Sequence, residues 1–397
     1  MDGKESSTGA PGLLTITPSL LDRRTFLKGA GALSAGALFL GVNPIPVLSQ
    51  ERKQETPEFQ AALGEVVTLL TKTYTDNKPT TLEVALARQR DIAEKILGVF
   101  GKHTLAISGS GGAIGQAMET LRVYGYVLAI SPMAIGQDRF VVNAPLHKID
   151  TVTGANLSMF EFPDLTPLNE RVAVHAVSRT LVPDVRETEH SPVPRMTFSG
   201  MTLTDVRGDS TVLIFEERVR TIARRDSLTI EHFRETVVAN ELAQVYLVRV
   251  FARDFPDAGF LLGLPLSTFG ISMSGKNFTV NHLIEAFSDW GSIKHGKTFS
   301  HELTRILQSS AEHYGISHAI AAAAMGLVIK DRKFAVLRGP GSQIDLREIR
   351  NLTPTQLDEL KQIILENYEV NLKGALARIV QSLPTLRRIY ESQKQKR

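Results

Sequence analysis

The first strong periodicity along the chain is helical. Apolar residues recur at three- and four-residue spacing over 59–73 and again over 81–99, which puts one apolar stripe on each of two amphipathic helices. Thr80 followed by Glu83 reads as a capping box at the start of the second. From about 103 the texture changes to short β-favouring runs at 104–108, 124–131, 140–143, 148–152, 157–162, 172–177 and 212–217. Thr153-Gly154-Ala155-Asn156 reads as a hairpin turn between two of them, and Pro163, Pro167, Pro183, Pro192 and Pro194 predict long connections. Helical spacing returns after about 226, with candidates at 229–252, 280–290, 300–308 and 318–328. Thr353 then caps a helix opening on Pro354, and helices continue to 396.

The pattern predicts an α+β protein, a β-rich N-terminal region followed by a mainly helical one. Its expected parts are a leader over 1–49, a β-rich domain with N-terminal helices over 50–225, and a helical domain over 226–397. Residues 50–58 read as a polar linker. The 397 residues allow two domains or one large one.

Composition narrows the function classes. With 43% hydrophobic and 22% charged residues, the chain has the make-up of an ordinary globular protein. The formal charge is +3. Without residues 1–49, 41 basic residues face 39 acidic ones, so nothing in the charge points to nucleic acid as a partner. Cysteine is absent, which excludes disulfides, thiolate nucleophiles, cysteine-ligated zinc, iron–sulfur clusters and a lipoprotein anchor.

The leader carries the sharpest motif. Asp22-Arg23-Arg24-Thr25-Phe26-Leu27-Lys28 resembles the twin-arginine export consensus, in its paired arginines and in the Phe26-Leu27 that follow. The Gly/Ala-rich run over 29–42 is too short for a hydrocarbon core of ~30 Å, and Val47-Leu48-Ser49 offers compact residues before a cleavage point. The resemblance implies passage through the twin-arginine translocase in a folded state, to a periplasmic or extracellular location. Retention of the segment as an uncleaved anchor is the other reading.

A second resemblance lies in the helix over 229–252. There Val237-Val238-Ala239-Asn240-Glu241-Leu242-Ala243-Gln244 resembles the active-site helix of the zincin metallopeptidases, whose pattern is His-Glu-x-x-His. Positions i and i+4 share a helical face, so two imidazoles there grip one Zn²⁺ while the intervening Glu polarises a water. The glutamate-using branch draws its third ligand from a downstream helix, and Glu285-Ala286-Phe287-Ser288-Asp289-Trp290 is similar to that segment. The resemblance implies that Asn240, Gln244 and Glu285 stand at the metal-ligand positions, with Glu241 as the catalytic residue only if the protein is active. Both histidine positions hold amides, which suit Zn²⁺ poorly. The expectation is therefore a non-catalytic zincin-like protein that needs no cofactor and binds a ligand, peptide or protein partner in the former cleft. A chance Asn-Glu-x-x-Gln on an unrelated helix is the competing reading.

Two alternatives stay open. His282, one turn before Glu285, and His301 could rebuild a metal site for an active metallohydrolase, with zinc as its cofactor. The segment 103–131 resembles the first β-α-β unit of short-chain dehydrogenases. In that case Gly109, Gly111 and Gly115 turn under a pyrophosphate, and the protein is an NAD(P)- or flavin-dependent oxidoreductase.

Overall fold

In the computed structural model, residues 52–394 are described except 110–111, 137–138, 189–198, 206–209, 256, 273–277 and 310–314, together with the backbone of 15–16 and 38–39. The export motif with Arg23, Arg24, Phe26 and Leu27, and the glycine at Gly111, lie outside the described residues.

Three helices come first: α1 (Pro57–Thr75), α2 (Leu82–Lys102) and α3 (Ala113–Arg122). The expected β-rich N-terminal region followed by helices is thus overturned. Helices over 57–122 precede the run of strands over 126–215 that supplies five of the six strands of the main sheet, and further helices follow it. The physical reason is visible at 104–108. Those residues favour β structure but have no neighbouring strand to pair with, so they remain an extended connection, with Thr104 at φ 54°. The cap of α2 also shifts by one residue. Thr81 accepts the Val84 amide, while Thr80 pairs with Phe140.

The strands are β1 (Thr15–Ile16), β2 (Leu38–Phe39), β3 (Tyr126–Leu128), β4 (Ser131–Gly136), β5 (Arg139–Asn143), β6 (Leu146–Asn156), β7 (Arg171–Val182), β8 (Gly200–Asp205), β9 (Ser210–Phe215) and β10 (Ile271–Ser272). Six form one mixed sheet in the order β2-β8-β9-β7-β6-β3, with β7 and β9 parallel and β8 antiparallel to β9. The expected turn at 153–156 is instead part of β6, which pairs with β7 as far as Asn156↔Arg171. Gly154 serves that pairing. A Cβ there would lie 2.7 Å from Nη2 of Arg171, so the missing side chain makes room for the guanidinium.

All six residues of β9 are buried, as a central strand covered on both faces requires. Its alternating side chains divide between two cores. Val212 and Ile214 join the large helical core, whereas Leu213 and Phe215 pack with Met201, Leu203 and Val177 on the opposite face, against Met118 of α3.

Beyond the sheet run α4 (Glu216–Arg225), α5 (Ile230–Asp254), α6 (Ala258–Gly263), α7 (Val280–His295), α8 (Phe299–Gln308), α9 (Gly315–Val328) and α10 (Pro354–Lys394). The last is one helix of 41 residues where several were expected. The large core joins residues from Leu157 to Leu386, and Tyr246, Phe251, Phe287 and Trp290 are fully buried in it. Each such side chain contributes roughly 1.5–3 kcal/mol of apolar burial.

α7 meets α5 through small residues. A Cβ added to Gly291 would lie 2.3 Å from the Ala243 Cβ, so the close crossing of these helices requires glycine at 291. Tyr246 and Phe287 stack one turn further along. The Thr236 hydroxyl accepts the Lys297 and Thr298 amides, which ties α5 to the α7–α8 joint.

Candidate functional site

The face of α5 that carries Glu241 turns toward β8. The Thr202 hydroxyl is 2.8 Å from Glu241 Oε2, and a Cβ added to Gly200 would lie 2.8 Å from both Cγ and Oε1 of Glu241. The Thr202 side chain and the bare Gly200 backbone are thus fitted around one carboxyl, and Glu241 retains 8% of its exposure. Burial pushes Glu241 up to about 8; the Thr202 hydrogen bond opposes that shift, and the nearby negative charge of Glu285 adds to it.

Asn240 and Gln244 lie one turn apart on α5, as i, i+4 spacing dictates, and both are half-buried. Glu285 on α7 is half-buried too. Burial raises Glu285 to about 7, Asp289 pushes it the same way, and Arg305 and Arg186 act against the shift. The negative charge of Glu285 thus acts on Glu241, but among the described residues no hydrogen bond joins the two. Among the described residues, no hydrogen bond or ion pair reaches the side chain of Asn240, Gln244 or Glu285.

Asp289, one turn after Glu285, leads into an ionic chain that sequence reasoning missed. Arg305 Nη2 lies 2.5 Å from Asp289 Oδ1 and 2.9 Å from Glu302 Oε2. His301 stands between Glu302 (3.2 Å) and Asp226 (3.0 Å), and Asp226 also binds Arg225. Burial acts to raise Glu302, yet Arg305 and His301 outweigh it and hold the group at about 2. The Glu302/Arg305 spacing of i, i+3 was legible in the sequence as a helix pair. Asp289 was legible too, because it shares a helical face with Glu285. Nothing in the text of β8 marks Thr202.

The two histidines suggested as replacement ligands are engaged in the architecture. His282 completes the cap of α7, its Nδ1 3.2 Å from the Thr279 amide, with its ring edge-on to Phe278. His301 holds the ionic chain and packs edge-on to Phe233. Among the described residues no three His, Cys, Asp or Glu side chains are grouped so as to hold a metal ion. The amides of Asn240 and Gln244 with the lone carboxylate of Glu285 do not fit zinc, which takes imidazole or thiolate donors in tetrahedral sets.

The glycine turn before α3 is also used for packing. Gly109 has φ +97°, and a Cβ there would lie 2.8 Å from the Glu119 Cβ. The Ser108 amide bonds to Thr120 Oγ1. Gly115 falls in the first turn of α3, and Gly112 caps the helix without a side-chain bond. Residues 105–109 form no strand, and β3 after the helix pairs with β6 antiparallel. The parallel β-α-β arrangement that places a pyrophosphate is not formed by these residues.

An open groove of about 690 Å³ lies between α1 and α2, lined by Gly64, Glu65, Thr68, Gly98 and Lys102 among others. Neither Glu241, Glu285 nor the ionic chain around Arg305 borders it. No helix among the described residues is long and apolar enough to cross a membrane. Comparison of the chain with protein-family models, with curated proteins and with solved structures returns no match.

Proposed function

We propose that this chain is an exported, non-catalytic zincin-like protein that binds a ligand or a protein partner beside Asn240, Gln244 and Glu285. One observation carries the reading. Two amides and a carboxylate that make no side-chain hydrogen bond or ion pair among the described residues accompany a second carboxyl, Glu241, that is buried without an ion-pair partner. Polar atoms kept unpaired in a folded protein are candidates for contacts made by something else. Glu241 is turned toward Thr202 and Gly200, which is not where a general base would meet a water. The donor set argues against zinc, so no catalytic step through a metal is derived. The export half rests on Arg23-Arg24 with Phe26-Leu27 in the leader.

Metal analysis with native mass spectrometry of purified protein tests the site. The expected result is no stoichiometric zinc and a retained ligand or partner that is lost in the double variant Asn240→Ala/Gln244→Ala. Stoichiometric zinc together with a hydrolase activity abolished by Glu241→Gln overturns it. Export is tested separately: Arg23→Lys/Arg24→Lys is expected to leave the chain in the cytoplasm, and undiminished export of that variant overturns this half.

A further inference from the structure

Two pieces of the leader are held as strands on the body that follows it. Thr15–Ile16 pairs antiparallel with Ile271–Ser272. Leu38–Phe39 pairs parallel with the end of β8, Leu38 opposite Thr204 and Phe39 opposite Asp205. Without β2, β8 would be the outermost strand of the six-stranded sheet. Its antiparallel ladder with β9 alternates, and the Phe215 amide donates to the Ser199 carbonyl. Met201 and Leu203 therefore turn their N–H and C=O groups to β9, while Thr204 turns its own outward. A bare edge of this kind invites a strand from another chain. β2 takes that place, and it lies beside both the sheet edge and β4 of the β4–β5 hairpin. In sequence, the motif over 22–28 falls between the two held pieces. We propose that β8 and β10 are seats for the leader: each takes a leader segment by strand addition once the body has folded, and transport requires that both segments be drawn out.

Both seats belong to the folded body. β8 is aligned by β9, and Ile271 of β10 is buried in the large core. A body that has not built that core offers the leader nothing to pair with, so seating reports folding. Each leader piece is two residues long, so each hold is slight and reversible. The seating stands apart from the reading above; its part in transport rests on the export half of that reading.

The chain contains no cysteine, so engineered pairs report the seats without interference. Strand pairing brings opposite Cα atoms within the ~4.4–6.8 Å that a disulfide needs. In the purified full chain, the matched pairs Leu38→Cys/Thr204→Cys and Thr15→Cys/Ser272→Cys are expected to form an intramolecular disulfide. They should do so about tenfold or more faster than the exchanged pairs Leu38→Cys/Ser272→Cys and Thr15→Cys/Thr204→Cys. Equal rates for matched and exchanged pairs, or no disulfide in the matched ones, overturn the proposal. Uptake of the same proteins into membrane vesicles carrying the twin-arginine translocase tests the hold. The disulfide forms are expected to stay outside, and reduction is expected to restore uptake. Equal uptake of oxidised and reduced forms overturns the requirement for release. Should the reduced forms also stay outside, the export reading fails, and the cross-linking rates still decide the seating.

Discussion

Asp184 and Glu241 are both buried carboxylates, and the structure treats them in opposite ways. Asp184 is bound by the Nε and Nη2 of Arg186 (2.8 and 2.9 Å), by the Arg186 amide, and by Asn143 Nδ2 (2.7 Å). Asn143 in turn accepts the Val185 amide, and the nearby Tyr74 hydroxyl accepts the Ala144 amide. Burial, the largest single influence, would raise Asp184, but Arg186 and these hydrogen bonds together hold it below the usual carboxylate range. Glu241 has one hydroxyl and no guanidinium, and it rises to about 8. A buried charge that is matched on every side fixes a fold. One that is left unmatched stays adjustable, and that difference sets the α5–β8–α7 region, where the proposed binding site lies, apart from the surroundings of Asp184.

The widest test of the contrast is stability against pH, because the two groups carry opposite signs. The folded-state value of Glu241 is raised, so its contribution is complete below the ordinary value of 4.5 and is lost as pH climbs through about 8. At roughly 1.4 kcal/mol per pKa unit, the loss is on the order of 5 kcal/mol. Asp184 is depressed, so its contribution is present above the ordinary 3.8 and is lost as pH falls through its folded-state value. Urea unfolding from acid to alkali should therefore show decline at both ends; Glu241→Gln is expected to shrink the fall toward alkaline pH, and the part that remains belongs to Glu285, raised to about 7. Next in size is Arg186→Met. It leaves Asp184 buried and uncompensated, at an expected cost of about 3–5 kcal/mol at neutral pH; a loss below about 1 kcal/mol would mean that the match is not structural.

Smaller effects separate packing from chemistry. Gly291→Val pushes a side chain into Ala243 across the α5–α7 crossing and should cost about 1–3 kcal/mol by thermal unfolding, with no change in the alkaline transition. Asn240→Ala and Gln244→Ala remove half-buried amides that have no partner. Each should change stability by about 0.5 kcal/mol or less while abolishing any ligand retention.

Periodicity made the helices legible in the sequence. The stripes over 229–252 and 280–290 became α5 (Ile230–Asp254) and α7 (Val280–His295). Strand composition was legible at 172–177 and 212–217, inside or overlapping β7 and β9. What could not be read was pairing. The run at 104–108 has the composition of a strand but no neighbour, and Gly154 looked like a turn because its contact with Arg171 is made across strands. The site divided along the same line. Glu241, Glu285 and the amides could be placed on helical faces from spacing alone. The partners that set their chemistry, Thr202 and Gly200 on one side and Arg305 with Asp289 on the other, come from segments whose approach no local pattern encodes.

The contrast between the two carboxylates is most directly measured by a carbon-13 NMR titration of glutamate side-chain carboxyls in the full chain. One resonance titrating near 8 and lost in Glu241→Gln, and another near 7 lost in Glu285→Gln, is the expected result. If every glutamate titrates below about 5.5, within the ordinary spread of exposed groups, Glu241 and Glu285 are compensated like Asp184, and the distinction between the two regions fails.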